Sequence, residues 1–179
     1  MKKKKICFVV SGSGSAKVFL LNHINKLSPY FEIYLVADFK ELPMDFFKDQ
    51  PIKELKQIAI PRNVRLINDF RALLSLYAYC KHKKFDAVHT LAPKVGLLGI
   101  FAARLAGVHK RIHIFTGQVW HTKKGLFKYF LMFLDRFTVW NSTHILVDGQ
   151  SQRQFLINNR IVKESKSFVL GKGSISGVD

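Results

Sequence analysis

Acidic residues are scarce in this chain. Twelve Asp and Glu stand against twenty-nine Lys and Arg, a formal charge of +17. A surface of that sign seeks phosphates, whether on nucleic acid, anionic lipid or small phosphorylated substrates. The marks of a nucleic-acid binder are missing: there is no zinc-finger Cys/His spacing, no RNP-like aromatic box and no helix-turn-helix pattern. Cysteine is nearly absent as well. Cys7 and Cys80 lack metal spacing and read as buried thiols, which excludes a disulfide scaffold and suits a reducing compartment. Seven histidines are scattered without ligand spacing, so no metal is assigned. No apolar run approaches the ~20 residues that cross a bilayer. Lys2, Lys3, Lys4 and Lys5 followed by ICFVV imitate a signal peptide, but the run ends short of an apolar region of about 7 to 15 residues. It is a first strand, and the protein is expected in the cytoplasm. Neither internal repeats nor low-complexity tracts occur.

What is present suffices for a packed core: 179 residues, 48% hydrophobic and 13% aromatic, make one ordinary domain or half of a two-domain protein. The strand at 6–10 runs into Ser11, Gly12, Ser13, Gly14 and Ser15, then a helical pattern of Val18, Leu20, Leu21 and Ile24. Glycines let a ligand approach the backbone, and a helix N-terminus offers free N–H groups to a phosphate. Sharper motifs fail on spacing. A G-x-G-x-x-G run needs glycine where Lys17 stands, and the Gly-Lys-Ser/Thr of a P-loop is absent. Asp38, after a second strand at 31–36, keeps a dinucleotide-binding reading as the lesser alternative, and a bare turn without ligand is the bland one.

Further strands are expected at 57–60, 85–89, 113–115, 145–147 and 167–170. Helices are expected at 69–84, from Pro93 to Gly107, at 124–140 and at 151–157, with loops over 40–56. This alternation predicts an α/β fold: a Rossmann-like, doubly wound, mostly parallel sheet with helices on both faces. Ligands of such sheets gather beyond the carboxyl ends of the strands. Segments 11–15, 89–94, 116–121 and 149–151 therefore converge on one crevice, which is a statement of location and not of chemistry.

The stretch from Arg111 to Gly149 organises the chain: a strand emptying into Thr116-Gly117, a long apolar helix and another strand. After Lys124 the helix carries only Lys128, Asp135 and Arg136 as charges. A helix apolar on nearly every side must be hidden, in a core or at an interface. Lys123 and Lys124 beside Phe127 and Phe130 suit an anionic membrane surface, where each basic residue adds about 1 kcal/mol. Trp120 and Trp140 bracket the helix as interfacial anchors do, although aromatic residues also fill cores.

The run FDAVHTLAPKVGLLGIFAARLAGV resembles the D-V-V-H-T-H-x-P-K-A-G-L-L-G-x-L-A-A-R-L-A-G-V stretch of bacterial retaining glycosyltransferases of the family 4 type, in the N-terminal domain of their GT-B fold. The likeness extends to the Gly-Ser-Gly-Ser opening, the Pro61-Arg62 turn, Asp69, the Thr116-Gly117 loop and the closing Gly-Ser-x-Ser-Gly-Val-Asp. It implies a two-domain enzyme that moves a sugar from a nucleotide-sugar to a lipid-linked or surface-glycan acceptor with retention, peripheral at the inner face of the membrane. Residues 1–170 would be the acceptor-side domain and 171–179 the start of a linker to a donor-binding domain. Apart from the nucleotide-sugar itself, no cofactor is implied.

The resemblance also places residues. Gly12, Ser13 and Gly14 match the loop that approaches the donor diphosphate. Many members carry a histidine after the Thr116 strand, where this chain reads Gln118-Val119-Trp120-His121, so Gln118 or His121 would take the catalytic position. Leu91 stands where a second histidine is common. Arg62, His89, Lys94, Thr116 and Gly117 fall on the acceptor side, while a capped turn, a satisfied half-buried histidine and a solvated lysine are the plain readings of the first three. A separate membrane-docking subunit that needs a donor-binding partner chain is the alternative from another class.

Overall fold

The computed structural model describes residues 3–61, 63–171 and 173–175. Strand β1 (Lys4–Gly12) passes directly into α1 (Ser13–Leu27), and β2 (Phe31–Asp38) and β3 (Glu54–Gln57) follow. Then come α2 (Leu66–Lys83), β4 (Ala87–Leu91), α3 (Pro93–Leu105), β5 (Lys110–Phe115) and α4 (Gly125–Asn141). The chain continues with β6 (His144–Val147), α5 (Gln150–Asn158) and β7 (Ser167–Val169). The strands form one sheet of order β3-β2-β1-β4-β5-β6-β7. Each neighbouring pair is parallel, so the expected mostly parallel sheet is wholly parallel among the described residues. Strand order reverses between β1 and β4, the switch point at which such sheets open a crevice.

Alternation along β1 sorts the core into two layers, because successive side chains of a strand point to opposite faces. Phe8 and Val10 pack with Leu20 and Ile24 of α1 and with Phe47 from the 3-10 turn Met44–Phe47. Cys7 and Val9 pack with Leu76 and Cys80 of α2 and Ala102 and Ala103 of α3. Further along that second face, Phe115, Ile145 and Val147 meet Met132 and Val139 of α4 and Leu156 of α5. Both cysteines are free and buried, as expected.

Two local expectations shift. The third strand lies at Glu54–Gln57 rather than 57–60, because it is an edge strand whose polar residues face water. Ile58 and Ile60, which imitate a strand in the sequence, are buried just beyond it in the α2 layer. The Gly-rich segment is not an open loop: β1 pairs as far as Gly12 against Asp38 after an irregularity, and α1 begins at the next residue.

Helix α3 lies close against the sheet. A Cβ at Gly96 would overlap the His113 ring, and one at Gly99 would lie 2.8 Å from Thr90 Cγ2. This explains the small residues of that helix, since only hydrogen fits between the layers. Gly96→Ala and Gly99→Ala are expected to lower stability by about 1–3 kcal/mol through overpacking, despite the better helix propensity of alanine. Gly117→Ala, at a site with nothing within 4 Å of the added carbon, is expected to stay within about 0.5 kcal/mol. Urea unfolding of the three variants checks the contrast, and equal effects at all three sites would refute the close seating.

Candidate functional site

The carboxyl ends of β1, β4, β5 and β6 bring together Gly12–Gly14, the β4–α3 turn, the segment 116–122 and the turn at Asp148-Gly149. Parallel strands make this convergence unavoidable. At its centre the α1 N-terminus has no side-chain cap from its own N-cap residue, Gly12. Ser13 is buried, and its hydroxyl accepts the Leu42 N–H at 2.8 Å, which folds the segment after β2 back over the helix start. The Glu41 carboxylate thereby rests against Gly12 and Gly14, and a Cβ at Gly14 would overlap it. A negative group at a helix N-terminus is favourable. In this conformation the chain's own carboxylate therefore stands where a phosphate is expected. Asp38, the dinucleotide alternative, accepts from Gln57 Nε2 at 2.8 Å and faces Lys40 at 3.9 Å.

Residues 173–175 cross the same edge. Asp148 receives the Ser174 N–H on its carbonyl at 2.7 Å and the Ile175 N–H on Oδ1 at 2.6 Å. Ile175 is buried against the layer that holds Leu91 and Ile114.

The expected acceptor-side residues do not form one cluster. His89 is only 8% exposed, its ring 5.3 Å from that of Phe8, and its Nε2 has no hydrogen-bond partner. Burial pushes its pKa down to about 4, so it is neutral at pH 7. Lys94 is engaged: its ammonium donates to the carbonyls of Pro61 at 2.8 Å and Asn63 at 2.6 Å and pairs with Asp69 at 2.6 Å. It clamps the segment before α2 onto α3, rather than being solvated. Arg62 lies outside the described residues. Thr116 and Gly117 are exposed at the β5 end.

Between the two catalytic candidates the surroundings differ. His121 is exposed and packs edge-on against Phe155 at 5.1 Å. Gln118 is half-buried, with its amide nitrogen buried and unpartnered. Gln118 precedes and His121 belongs to the 3-10 turn Val119–Thr122, whose Trp120 is buried, stacks on Phe155 at 5.2 Å and donates from Nε1 to Asp135 Oδ2 of α4 at 2.7 Å. Trp120 is therefore a core residue and not an interfacial anchor. Trp140 is exposed, with the Arg104 guanidinium 4.2 Å above its ring.

Helix α4 is not hidden within this chain, which removes the core reading for most of its apolar residues. Leu126, Phe127, Tyr129, Phe130 and Phe133 are exposed, Leu126 by 89%, whereas Met132, Asp135, Thr138 and Val139 face the core. Helix α3, the 3-10 turn Val119–Thr122 and β5 cover only one strip of the helix. Lys123 and Lys124 are exposed beside the apolar face, and Lys128 is half-buried with its ammonium 5.9 Å from the Trp120 ring. Sequence reading missed a second ridge, on α2: Leu66, Ile67, Phe70 and Leu74 are exposed. Next to it, a groove of about 740 Å³ between β3 and α2 is lined by Lys40, Lys56, Arg65 and Arg71, with Asp38 as its acid. The outward periodicity of those α2 residues was the available signal. No described helix is long and apolar enough to span a membrane, and among the described residues no His/Cys/Asp/Glu group could hold a metal ion.

The family described as "Glycosyl transferase 4-like domain" matches residues 50–172. The chain is 31% identical over 144 residues to the UDP-Gal:alpha-D-GlcNAc-diphosphoundecaprenol alpha-1,3-galactosyltransferase of Escherichia coli, covering 80% of this chain and 37% of that protein. It is 33% identical over 135 residues to the capsular polysaccharide biosynthesis glycosyltransferase CapM of Staphylococcus aureus, covering 70% and 35%. It thus spans little more than a third of the length of these curated relatives. Among solved structures, a UDP-GlcNAc 2-epimerase from Neisseria meningitidis bound to UDP-GlcNAc superposes with a TM-score of 0.66 at 16% identity, covering 94% of this chain and 46% of that one. That likeness shows the fold alone.

The buried titratable groups set an acid response. His89 and His113, with pKa values pushed by burial to about 4 and about 3, bind protons less readily folded than unfolded. Stability is then complete above the ordinary 6.5 and is lost as the pH falls below it, by up to about 1.4 kcal/mol per pH unit for each ring. Asp135 acts oppositely: burial raises it to about 6 from 3.8, so its protonation favours the fold between those values. Urea midpoints are expected to fall from pH 7.5 to 5. Asp135→Asn, which retains an acceptor for Trp120, is expected to match or exceed the parent at pH 7.5 and to lose more on acidification. A flat profile would mean that the imidazoles are solvated in the fold.

Proposed function

Because the chain belongs to the glycosyl transferase 4-like family, we propose that it is the acceptor-side half of a retaining glycosyltransferase. The whole enzyme would move a sugar from a UDP-sugar to a lipid-linked saccharide in the making of a surface glycan. The fold is shared with UDP-sugar epimerases; the family match favours transfer. The reading rests on one observation at the carboxyl edge: a helix N-terminus with two glycines and a half-buried Gln118, whose unpartnered amide nitrogen is a donor without an acceptor. Gly12, Ser13 and Gly14 would receive the donor diphosphate after Glu41 swings away, and Gln118 would hydrogen-bond the reacting sugar. His89 is neutral, 8% exposed and beneath the edge, so it supports the crevice wall rather than acting as a base. Retaining transfer then relies on positioning and on the donor phosphate as the polar partner. A second domain would supply the remaining donor contacts, with residues near 171 opening the connection.

The acceptor's lipid accounts for the outer surface. An anionic amphiphile needs a basic seat beside an apolar one. Here the groove with Arg65 and Arg71 adjoins the α2 ridge, while Lys123, Lys124 and Lys128 border the exposed face of α4. The domain would dock through these helices on the inner face of the membrane, with its crevice open to the diphosphate head of the acceptor.

The test is turnover by the full-length protein, using a panel of UDP-sugars and an undecaprenyl-diphosphate saccharide. Gln118→Ala is expected to lower kcat by about 10- to 100-fold. Glu41→Gln is expected to lower the donor KM severalfold by removing a competing carboxylate. Unchanged kcat in the first variant would remove Gln118 from the reaction, and free epimerised UDP-sugar as the sole product would replace transfer with epimerisation.

For docking, vesicles containing phosphatidylglycerol are expected to bind the protein, less so at high salt. Phe127→Glu with Phe130→Glu should weaken that binding in a folded protein. Equal sedimentation with neutral phosphatidylcholine vesicles would count against the charged surface.

A further inference from the structure

Asp135, 7% exposed, is the only buried acidic residue among the described residues. Its Oδ2 accepts one side-chain hydrogen bond, from the Trp120 indole. Burying a carboxylate is costly unless it is paired, and at this position of α4 an apolar residue would pack as well as Met132 and Val139 do on the same strip. The acid is thus retained for something other than packing. Its partner lies in the middle of a nine-residue connection, 116–124, whose other residues are exposed apart from the half-buried Gln118. At the two ends of the 3-10 turn in this connection the backbone bonds are local, His121 N–H to Gln118 O and Lys123 N–H to Trp120 O. Trp120, stacked on Phe155, is therefore the main anchor of the segment that carries Gln118.

We propose that Trp120 and Asp135 are positioning residues, which fix the 116–122 segment on α4 and so hold Gln118 at the carboxyl end of β5. The proposal rests on the reading of Gln118 given above, and its geometry has a further consequence. The strip of α4 that holds the loop is opposite the face that is bare, so the same helix ties the site to the outer surface.

The test uses the full-length protein and three variants: Trp120→Phe, Asp135→Leu and Asp135→Asn. Hydrogen exchange reads the loop directly. In Trp120→Phe and Asp135→Leu, protection of the His121 and Lys123 amides is expected to fall roughly 10- to 100-fold, the range of a hydrogen bond to a charged group, with β5 and the rest of α4 protected as in the parent. Asp135→Asn keeps an acceptor and is expected to restore protection. With the UDP-sugar selected by the panel, the two disruptive variants are expected to lower kcat about tenfold or more at unchanged KM, and their double variant should be no worse than either single one. Loss of protection throughout the domain, or failure of Asp135→Asn to rescue, would overturn the proposal in favour of a purely structural pair. If exchange behaves as expected while Gln118→Ala turns over normally, the assignment of Gln118 fails and the anchoring of the loop stands, so the two ideas fail separately.

Discussion

The constraint on which everything else depends is the parallel direction of all seven strands. Parallel strands need a crossover for each return, so every connection that leaves a carboxyl end leaves from one edge. Residues more than a hundred positions apart, Gly12 and Gln118 or Ser13 and Asp148, thereby border one crevice. The reversal of strand order between β1 and β4 opens it, and the helix starts beside it supply N–H groups at no extra cost in structure.

Holding that edge in place is mainly the work of α3. Its glycines allow it to lie against Thr90 and His113, and the Thr90 hydroxyl and His113 Nδ1 meet at 2.9 Å beneath it. From its first turn, Lys94 reaches out to the carbonyls before α2 and to Asp69, so α2 and α3 are locked together where they approach the crevice. The polar groups here are committed to architecture. A lysine at a helix start, which in isolation suggests a phosphate contact, is part of the frame.

Helix α4 divides its labour by face. One strip closes the third part of the core and carries the one buried acid among the described residues, while the rest is largely apolar and bare. Such a helix is poorly suited to the surface of an isolated domain, because exposed Phe and Leu side chains order water at a free-energy cost. Basic residues along its edge and the parallel ridge on α2 make that surface coherent as an amphiphile-facing side of the molecule, adjoining the crevice rather than remote from it.

Much of the fold was legible in the sequence. The alternation of short apolar runs with helical patterns identified most strands and all five α-helices, and the run from Phe85 to Val108 carried the family. These are local signals, fixed by side-chain periodicity, glycine spacing and charge along the chain. Only the tertiary structure decided the rest. It placed Glu41 over Gly14, engaged Lys94, sank His89, exposed α4 and paired Trp120 with Asp135. Each depends on which distant segment lies alongside, and burial or pairing is a property of both partners. A pattern read from one segment shows what a side chain prefers, while the packing of the other segments determines whether that preference is met.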